Sequence, residues 1–370
     1  MQSHLRLFIV SLIVICLLVV SAVLGAFRKT KPASLLAAGP NQLQVDKARI
    51  AQERPISSLV APLDLQALTK NADLIVVGRV ESVRSSDYLI ENVEGRTMKA
   101  QRMVALLSVD KVIKGQPDGP TLSFDFLMPG TQLPYRDIRA SQFGMFFLSK
   151  NKAQGYTVLN PYYPFVIASS APIATDGENL DRVVTVIGRK FTEPASSVGD
   201  RRAIVDILSS ARTTLADKFL RQALKDNDVV VRLQALSALL NEGDLSVLAM
   251  AERTLLHPTV DIEEYLLTNL SSALEGIKDP RAIPTLKRLL SSTNPNARLG
   301  ATIALRHMRI PDVIDALVIA LSDRDREVRY EAVMGLAEIT GKDDWAPAIS
   351  LYQRDEQRYL EYWKEWAKAR

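Results

Sequence analysis

What this chain of 370 residues lacks already excludes much chemistry. It has one cysteine, Cys16, buried in an apolar N-terminal run, and none follows. No disulfide framework, thiol nucleophile or thiolate metal site can be built from the rest. Histidine is nearly as scarce: His4 lies in the leader, His257 in the turn LLHPT and His307 at the end of ALRHM. His257 and His307 stand 50 residues apart, and neither belongs to an HExxH pair. Glycine-rich phosphate loops and nucleophile elbows are missing as well. The stretch DRDRE, Asp323 to Glu327, briefly resembles a calcium loop. Val328 replaces its turn glycine, however, and Met334 stands where the closing glutamate belongs. A helix–helix turn with a cap is the simpler reading. The expected set of cofactors, metals and catalytic residues is therefore empty.

Excess positive charge is missing where nucleic acid would need it. The net charge is +4, yet residues 199–370 hold 24 Lys/Arg against 26 Asp/Glu, leaving 22 against 16 for residues 1–198. Phosphate-backbone binding needs concentrated positive charge, so nucleic acid is not an expected partner.

Only one hydrophobic run is long. Leu7 to Phe27 contains 21 residues without a charge, enough to span a hydrocarbon core. Arg6 precedes it, and Arg28, Lys29 and Lys31 follow. The run exceeds the usual signal length, and its best cleavage sites, Leu24-Gly25-Ala26 and Leu36-Ala37-Ala38, are imperfect. Residues 1–28 are accordingly read as a signal anchor, with a cleaved signal peptide as the alternative. The basic residues after the run favour a cytoplasm-facing body, whereas the short N-terminal tail matches exported proteins. The reading adopted is a bacterial single-pass inner-membrane protein with a periplasmic body. Secretion after cleavage and a cytoplasm-facing body are the alternatives.

Residues 29–60 read as a linker, with Pro32, Pro40 and Pro55 among polar residues. A short helix is expected over Asp64 to Asp73. Strand signals follow: LIVVGRVESV from Leu74, RMVALLSVDKVIKG from Arg102, TLSFDFL from Thr121, GMFFLSK from Gly144 and GYTVLNPYYPFVIA from Gly155. Short strands at this spacing predict a small all-β barrel or sandwich over residues 61–190. The order NADLIVVGRVESV, SVDKVIKG, GMFFLS over about residues 65–170 resembles netrin/tissue-inhibitor-type OB barrels. That resemblance implies a binding module. Strand signals give way to helix signals across TEPASSVGD, Thr192 to Asp200, which places a domain boundary there.

Beyond it a phrase recurs: DVVVRLQALSALL from Asp228, NPNARLGATIALRHM from Asn294 and DREVRYEAVMGLAEI from Asp325. Each copy places an Asp or Asn four residues before an Arg: Asp228 and Arg232, Asn294 and Arg298, Asp325 and Arg329. The Arg-to-Arg spacings of 66 and 31 leave room for a weaker copy near 244–277, where Glu263 departs from the pattern. Such a period means stacked helix pairs. The Asp or Asn caps the second helix of each pair, and the Arg one turn on is placed to reach the Asp of a neighbouring unit, forming a ladder. The phrases resemble HEAT repeats of the phycobilisome-lyase-like kind over about residues 200–370, with a 199–370 α-solenoid of four or five repeats implied.

Two aromatic or charged clusters are candidate partner contacts. One is Tyr135, Arg136 and Arg139 in the loop Met128 to Gly144; such loops on rigid scaffolds often carry function. The other is Tyr359, Trp363 and Trp366 on one stripe of the C-terminal helix YLEYWKEWAKAR, although a plain helical cap explains that stripe too. Taken together, the residues predict a multidomain α and β chain: an N-terminal transmembrane helix, an OB-type barrel and a HEAT-like solenoid. The expected function is non-catalytic protein–protein interaction or scaffolding, with protein partners and a membrane tether. The rival is an enzyme with its active site in the β domain and the repeats as accessory.

Overall fold

The computed structural model describes residues 63–93, 96–129, 137–151, 155–172 and 177–370. The expected anchor (1–28) and linker (29–60) lie outside the described residues. No described helix is long and apolar enough to cross a membrane.

Helix α1 (Leu65–Asn71) opens the fold, with Asp64 accepting the Ala67 N–H at 2.8 Å as its cap. Five strands follow: β1 (Leu74–Val93), β2 (Arg96–Lys114), β3 (Thr121–Pro129), β4 (Phe143–Lys150) and β5 (Tyr156–Val158). They close into a barrel in the order β1-β2-β3-β5-β4. All neighbours are antiparallel except β3 and β5. The first hairpin is longer than the sequence pattern suggested, pairing from Ile75 with Lys114 to Val93 with Arg96. Gly78 sits at a register shift in that hairpin, where a Cβ would lie 2.2 Å from the Ser108 carbonyl oxygen.

The run Leu74-Ile75-Val76-Val77 shows how the halves of the fold join. Leu74 and Val76 point into the barrel beside Leu107, Phe124, Phe146 and Leu148. Ile75 and Val77, with Ile113, Met145 and Phe147, face outward into the core made by the helices. A strand with both faces covered loses the alternation of polar and apolar residues, and this run has no polar member.

The β domain does not extend to residue 190. Residues 179–192 form helix α2 (Asn179–Thr192), and its Val183, Val184, Val186 and Ile187 belong to the helical core. Arg182 fastens α2 to the barrel by donating to the carbonyls of Val112 at 2.9 Å and Ile113 at 2.5 Å. Sequence signals carry the β domain to residue 190 because helix signals are placed only after Thr192, although the last strand signal ends at Ala168.

Helices then alternate in pairs. After α2 come α3 (Val198–Ser209), α4 (Thr214–Ala223), α5 (Val229–Asn241), α6 (Leu248–Leu256) and α7 (Glu264–Ala273). They continue as α8 (Ile283–Leu289), α9 (Pro295–Met308), α10 (Ile314–Ala320), α11 (Arg326–Thr340), α12 (Ile349–Arg354) and α13 (Glu356–Ala369). Each even-numbered helix packs on its successor, and the odd-numbered second helices from α3 to α13 pack on one another in series. The described residues thus form six pairs, more than the four or five expected. Gly300 lets α9 approach α7 closely, since a Cβ there would stand 2.2 Å from the Ser271 carbonyl oxygen. At the C-terminal end α13 turns Trp363 fully inward, and Trp345 stacks on Tyr362 with ring centroids 3.5 Å apart.

Candidate functional site

The repeated Asp and Asn residues cap their helices. Asp228 accepts from Val231 N–H, Asn294 from Asn296 N–H and Asp325 from Glu327 N–H. The arginines four residues on reach into the next repeat, but they do not reach its cap. Arg298 forks onto Asp323 at 2.7 and 3.0 Å, two residues before the cap Asp325. Arg201, in the same place on α3, forks onto Asp226 at 2.7 and 3.2 Å. Arg329 pairs with Glu356 at 2.7 Å. Burial pushes the carboxyls of Asp226, Asp323 and Glu356 up, and the arginine hydrogen bonds outweigh it, holding each below its ordinary value. The remaining Nη1 of each arginine donates to its own turn, as Arg298 does to the Ser292 carbonyl at 3.0 Å and Arg329 to that of Asp323 at 2.7 Å.

Arg232 breaks the series. Its Nη1 donates to the carbonyls of Asp226 and Asn227, but no carboxylate of α7 meets its fork. Glu263 stands at the α7 cap and makes no capping bond. A different arginine, Arg202, holds Asp228 at 2.7 and 2.9 Å. Of the expected ladder residues, Asp228, Arg298 and Arg329 therefore tie one repeat to the next, while Arg232, Asn294 and Asp325 serve their own turns.

A trough of about 370 Å³ opens on the second-helix face, across α3, α5 and α7. Its polar lining comprises Asp206, Ser209, Arg212, Gln234, Ser237, Asn241, Glu242, Asn269 and Ser272, of which Ser209, Gln234 and Ser237 are half-buried. The spacing is repetitive: Gln234 and Asn269 are each six residues after their helix caps, Asp228 and Glu263, and Ser237 and Ser272 each nine. The Gln234 carbonyl oxygen is buried and has no hydrogen-bond partner among the described residues. A second hollow of about 630 Å³ shares Asn241 and Glu242 with the first and adds Glu275, Lys278, Asp279 and His307.

Further along, the face changes character. Arg306 is clamped by Glu331 at 2.6 Å and by Glu338. Burial works against its charge, but the two carboxylates outweigh that and raise its pKa. In this part of the face the one cation is held by two carboxylates of the chain itself. Among the described residues no three acidic, histidine or cysteine side chains converge as metal ligands.

The expected partner residues fare unevenly. Tyr135 and Arg136 lie outside the described residues. Arg139 is exposed beside Asp137 at 3.3 Å, while neighbouring Ile138 plugs the barrel interior. Tyr359 and Trp363 are not a partner surface: both are buried, packed with Tyr352 and Trp366. Helical spacing had marked the stripe but not the side it faces. Trp366 is half-buried at its edge. Missed by sequence reasoning were Gln234, Ser237, Asn269 and Ser272, whose signal was their repeated offset from the caps.

The sequence matches the family of HEAT repeats over residues 261–337 and again over 293–366. Similar solved structures include the complex of CpcE and CpcF of phycocyanin lyase from Nostoc sp. PCC7120, at 17% identity and a TM-score of 0.35, covering 47% of this chain and 70% of that one. Human deoxyhypusine hydroxylase in complex with glycerol is another, at 15% identity and a TM-score of 0.26, covering 51% of this chain and 96% of that one. No curated protein matches the chain.

Proposed function

We propose that this chain, a HEAT-repeat protein, is a non-catalytic scaffold that holds a protein partner on its second-helix face. The observation that carries the reading is the trough across α3, α5 and α7, lined by carboxamides and hydroxyls at repeating offsets. Such groups bind by hydrogen bonding, with donors and acceptors on one side chain. The barrel gives the array a rigid base, and its strand order with a parallel β3–β5 pair supports an OB-type reading. The apolar run Leu7 to Phe27 supports a membrane tether, in a bacterial inner membrane with the body in the periplasm.

Photo-cross-linking tests the face. A cross-linker placed at Asn269 or Ser272 should capture a partner from membranes, and one placed at Ile319, exposed on α10, should not. Capture from Ile319 or the barrel alone would refute the proposed face.

A further inference from the structure

We propose that the outer side of the first helices α4, α6 and α8 lies against an anionic lipid surface. The inference rests on the membrane tether proposed above and says which side of the array meets that membrane.

The array as a whole carries no excess of positive charge, yet three of its helices gather what there is. Residues 214–225, 248–257 and 283–291 hold six Lys/Arg against two acids. All six cations are exposed: Lys218, Arg221, Lys225, Arg253, Lys287 and Arg288. Both acids, Asp217 and Glu252, are half-buried. Arg221 is paired with Asp244, and Arg288 with Glu252. Among the described residues Lys218, Lys225, Arg253 and Lys287 have no ion pair. By contrast, α7 and the turn before it expose Asp261, Glu263 and Glu264. The charge of the array is therefore sided.

Helical phase turns these cations outward. The buried residues are Ala216, Leu220 and Ala223 in α4, Leu248, Ala251 and Leu255 in α6, and Leu286 and Leu289 in α8. Lys218 and Arg253 each follow a buried alanine by two residues, about 200° round the helix, and so point away from the core. The Arg221–Asp244 pair fastens α4 to the start of α6, and the Arg288–Glu252 pair fastens α8 to α6. Packed helices lie about 8–10 Å apart, so the unpaired cations share a strip about two such spacings wide.

Met250 says what kind of anion the strip meets. It is 44% exposed on α6, one turn before Arg253. An apolar side chain among cations suits the boundary between headgroups and acyl chains. Lysine stems are long enough to keep the ammonium groups on phosphates while the apolar side chain enters. A nucleic-acid backbone would give Met250 nothing apolar to bury against, and these helices expose no aromatic ring on which a base could stack. Each Lys or Arg near an anionic membrane strengthens attraction about fivefold, and a tether holds the face within reach of the surface.

The test uses the full chain reconstituted through its own apolar run into vesicles of phosphatidylcholine, alone or mixed with phosphatidylglycerol. Cys16→Ala removes the one native cysteine, so Met250→Cys takes an environment-sensitive fluorophore alone. With phosphatidylglycerol present the label should shift to the blue and be shielded from acrylamide, and salt should reverse both. In phosphatidylcholine alone it should stay open, and a label at Ile319→Cys on α10 should stay open in either lipid. Lys218→Gln with Lys287→Gln should move the balance about 25-fold toward the open label. The unfolding midpoint should not change, because neither lysine has an ion pair to lose. Equal shielding in the two lipids, or shielding that survives the double variant, would overturn the proposal. So would binding of a DNA duplex that the double variant abolishes while the label ignores the lipids, which would assign the face to nucleic acid. If carbonate strips the chain from the vesicles, the tether fails; flotation of the chain with phosphatidylglycerol vesicles but not with phosphatidylcholine vesicles would still uphold the face, and flotation with neither would sink both.

Discussion

Replacing Arg298 with Ala should be among the most damaging single changes in the array. The Arg298 and Asp323 side chains are 4% and 8% exposed, so the pair belongs with buried ion pairs rather than surface ones. Removing one member of a buried pair costs about 3–5 kcal/mol, because the other charge is left uncompensated. Asp323 would keep one bond, from Asp325 N–H at 2.8 Å, which places the expected loss near the lower end, about 3 kcal/mol. All three tryptophans, Trp345, Trp363 and Trp366, lie beyond the α9–α11 junction. Their fluorescence in a urea titration therefore reports on the repeats that Arg298 ties down. With a slope of about 2 kcal/mol per molar, the midpoint should fall by about 1.5 M. The pH dependence has a definite sign. In the native chain Asp323 is held below its ordinary value, so its contribution is present above about pH 3.9 and is lost as pH falls through the lower folded value. In the variant the Arg298 bonds no longer oppose burial, leaving only the Asp325 N–H bond and Arg324, so the carboxyl rises relative to the native one and the variant's loss shrinks as Asp323 takes up a proton. The gap between the two should be wider at about pH 7.5 than at about pH 5. Adding Asp323→Ala to the variant should recover part of the loss. A midpoint shift no larger than that of Arg281→Ala, whose side chain is 81% exposed, would refute the reasoning.

Gly300→Ala should cost about 1–3 kcal/mol by pushing α9 off Ser271. In thermal melts Gly199→Ala, with nothing but the Ser197 hydroxyl near 3.8 Å, should leave the midpoint unchanged or slightly higher. The segment around Ser196 should resist limited trypsin digestion, because Ser197 closes a capping box and Arg201 donates to the Ser196 carbonyl. In Arg182→Ala, α2 loses its ties to Val112 and Ile113, and cuts should appear at Arg189 and Lys190; an unchanged digest would mean those ties hold nothing. The full chain should remain with membranes through a carbonate wash, and a truncation beginning at residue 33 should not; mature protein starting near residue 27 or 39 would point instead to a cleaved signal.

Second helices were legible because their signals are local. A capping Asp, an Arg one turn later and Ala and Leu on the buried face all fall within one short phrase, as in Asp325, Arg329, Ala332 and Leu336. The partners of those arginines were not legible. Asp226, Asp323 and Glu356 lie 25 to 27 residues from the groups they meet, and the first two sit in turns where an Asp has an obvious local use. Strand alternation marked β3 correctly, yet it could not show that the LIVV run serves two cores, since a doubly covered strand leaves no alternation to read. The aromatic stripe of α13 was visible as a stripe. Whether a stripe faces partner or protein depends on what packs against it, and here Trp345, some 18 residues before Trp363, decides the matter. Gln234 and Asn269 escaped notice because an amide on a helix looks like any solvated residue until its neighbours hollow out a trough.

The outward wall of the barrel and the aromatic helix α13 share one consequence. A stack of identical layers has two raw ends, and each invites another copy to continue the pile, which leads to fibres when the contact does not close. Here one end is sealed by sheet residues Ile75, Val77 and Phe147, the other by Trp363 and Tyr359. Neither seal resembles the face of an internal layer, so head-to-tail growth has no template. Length can then vary in one way only, by inserting whole layers between the two closures. Such an insertion would lengthen the second-helix face while leaving both ends as they were.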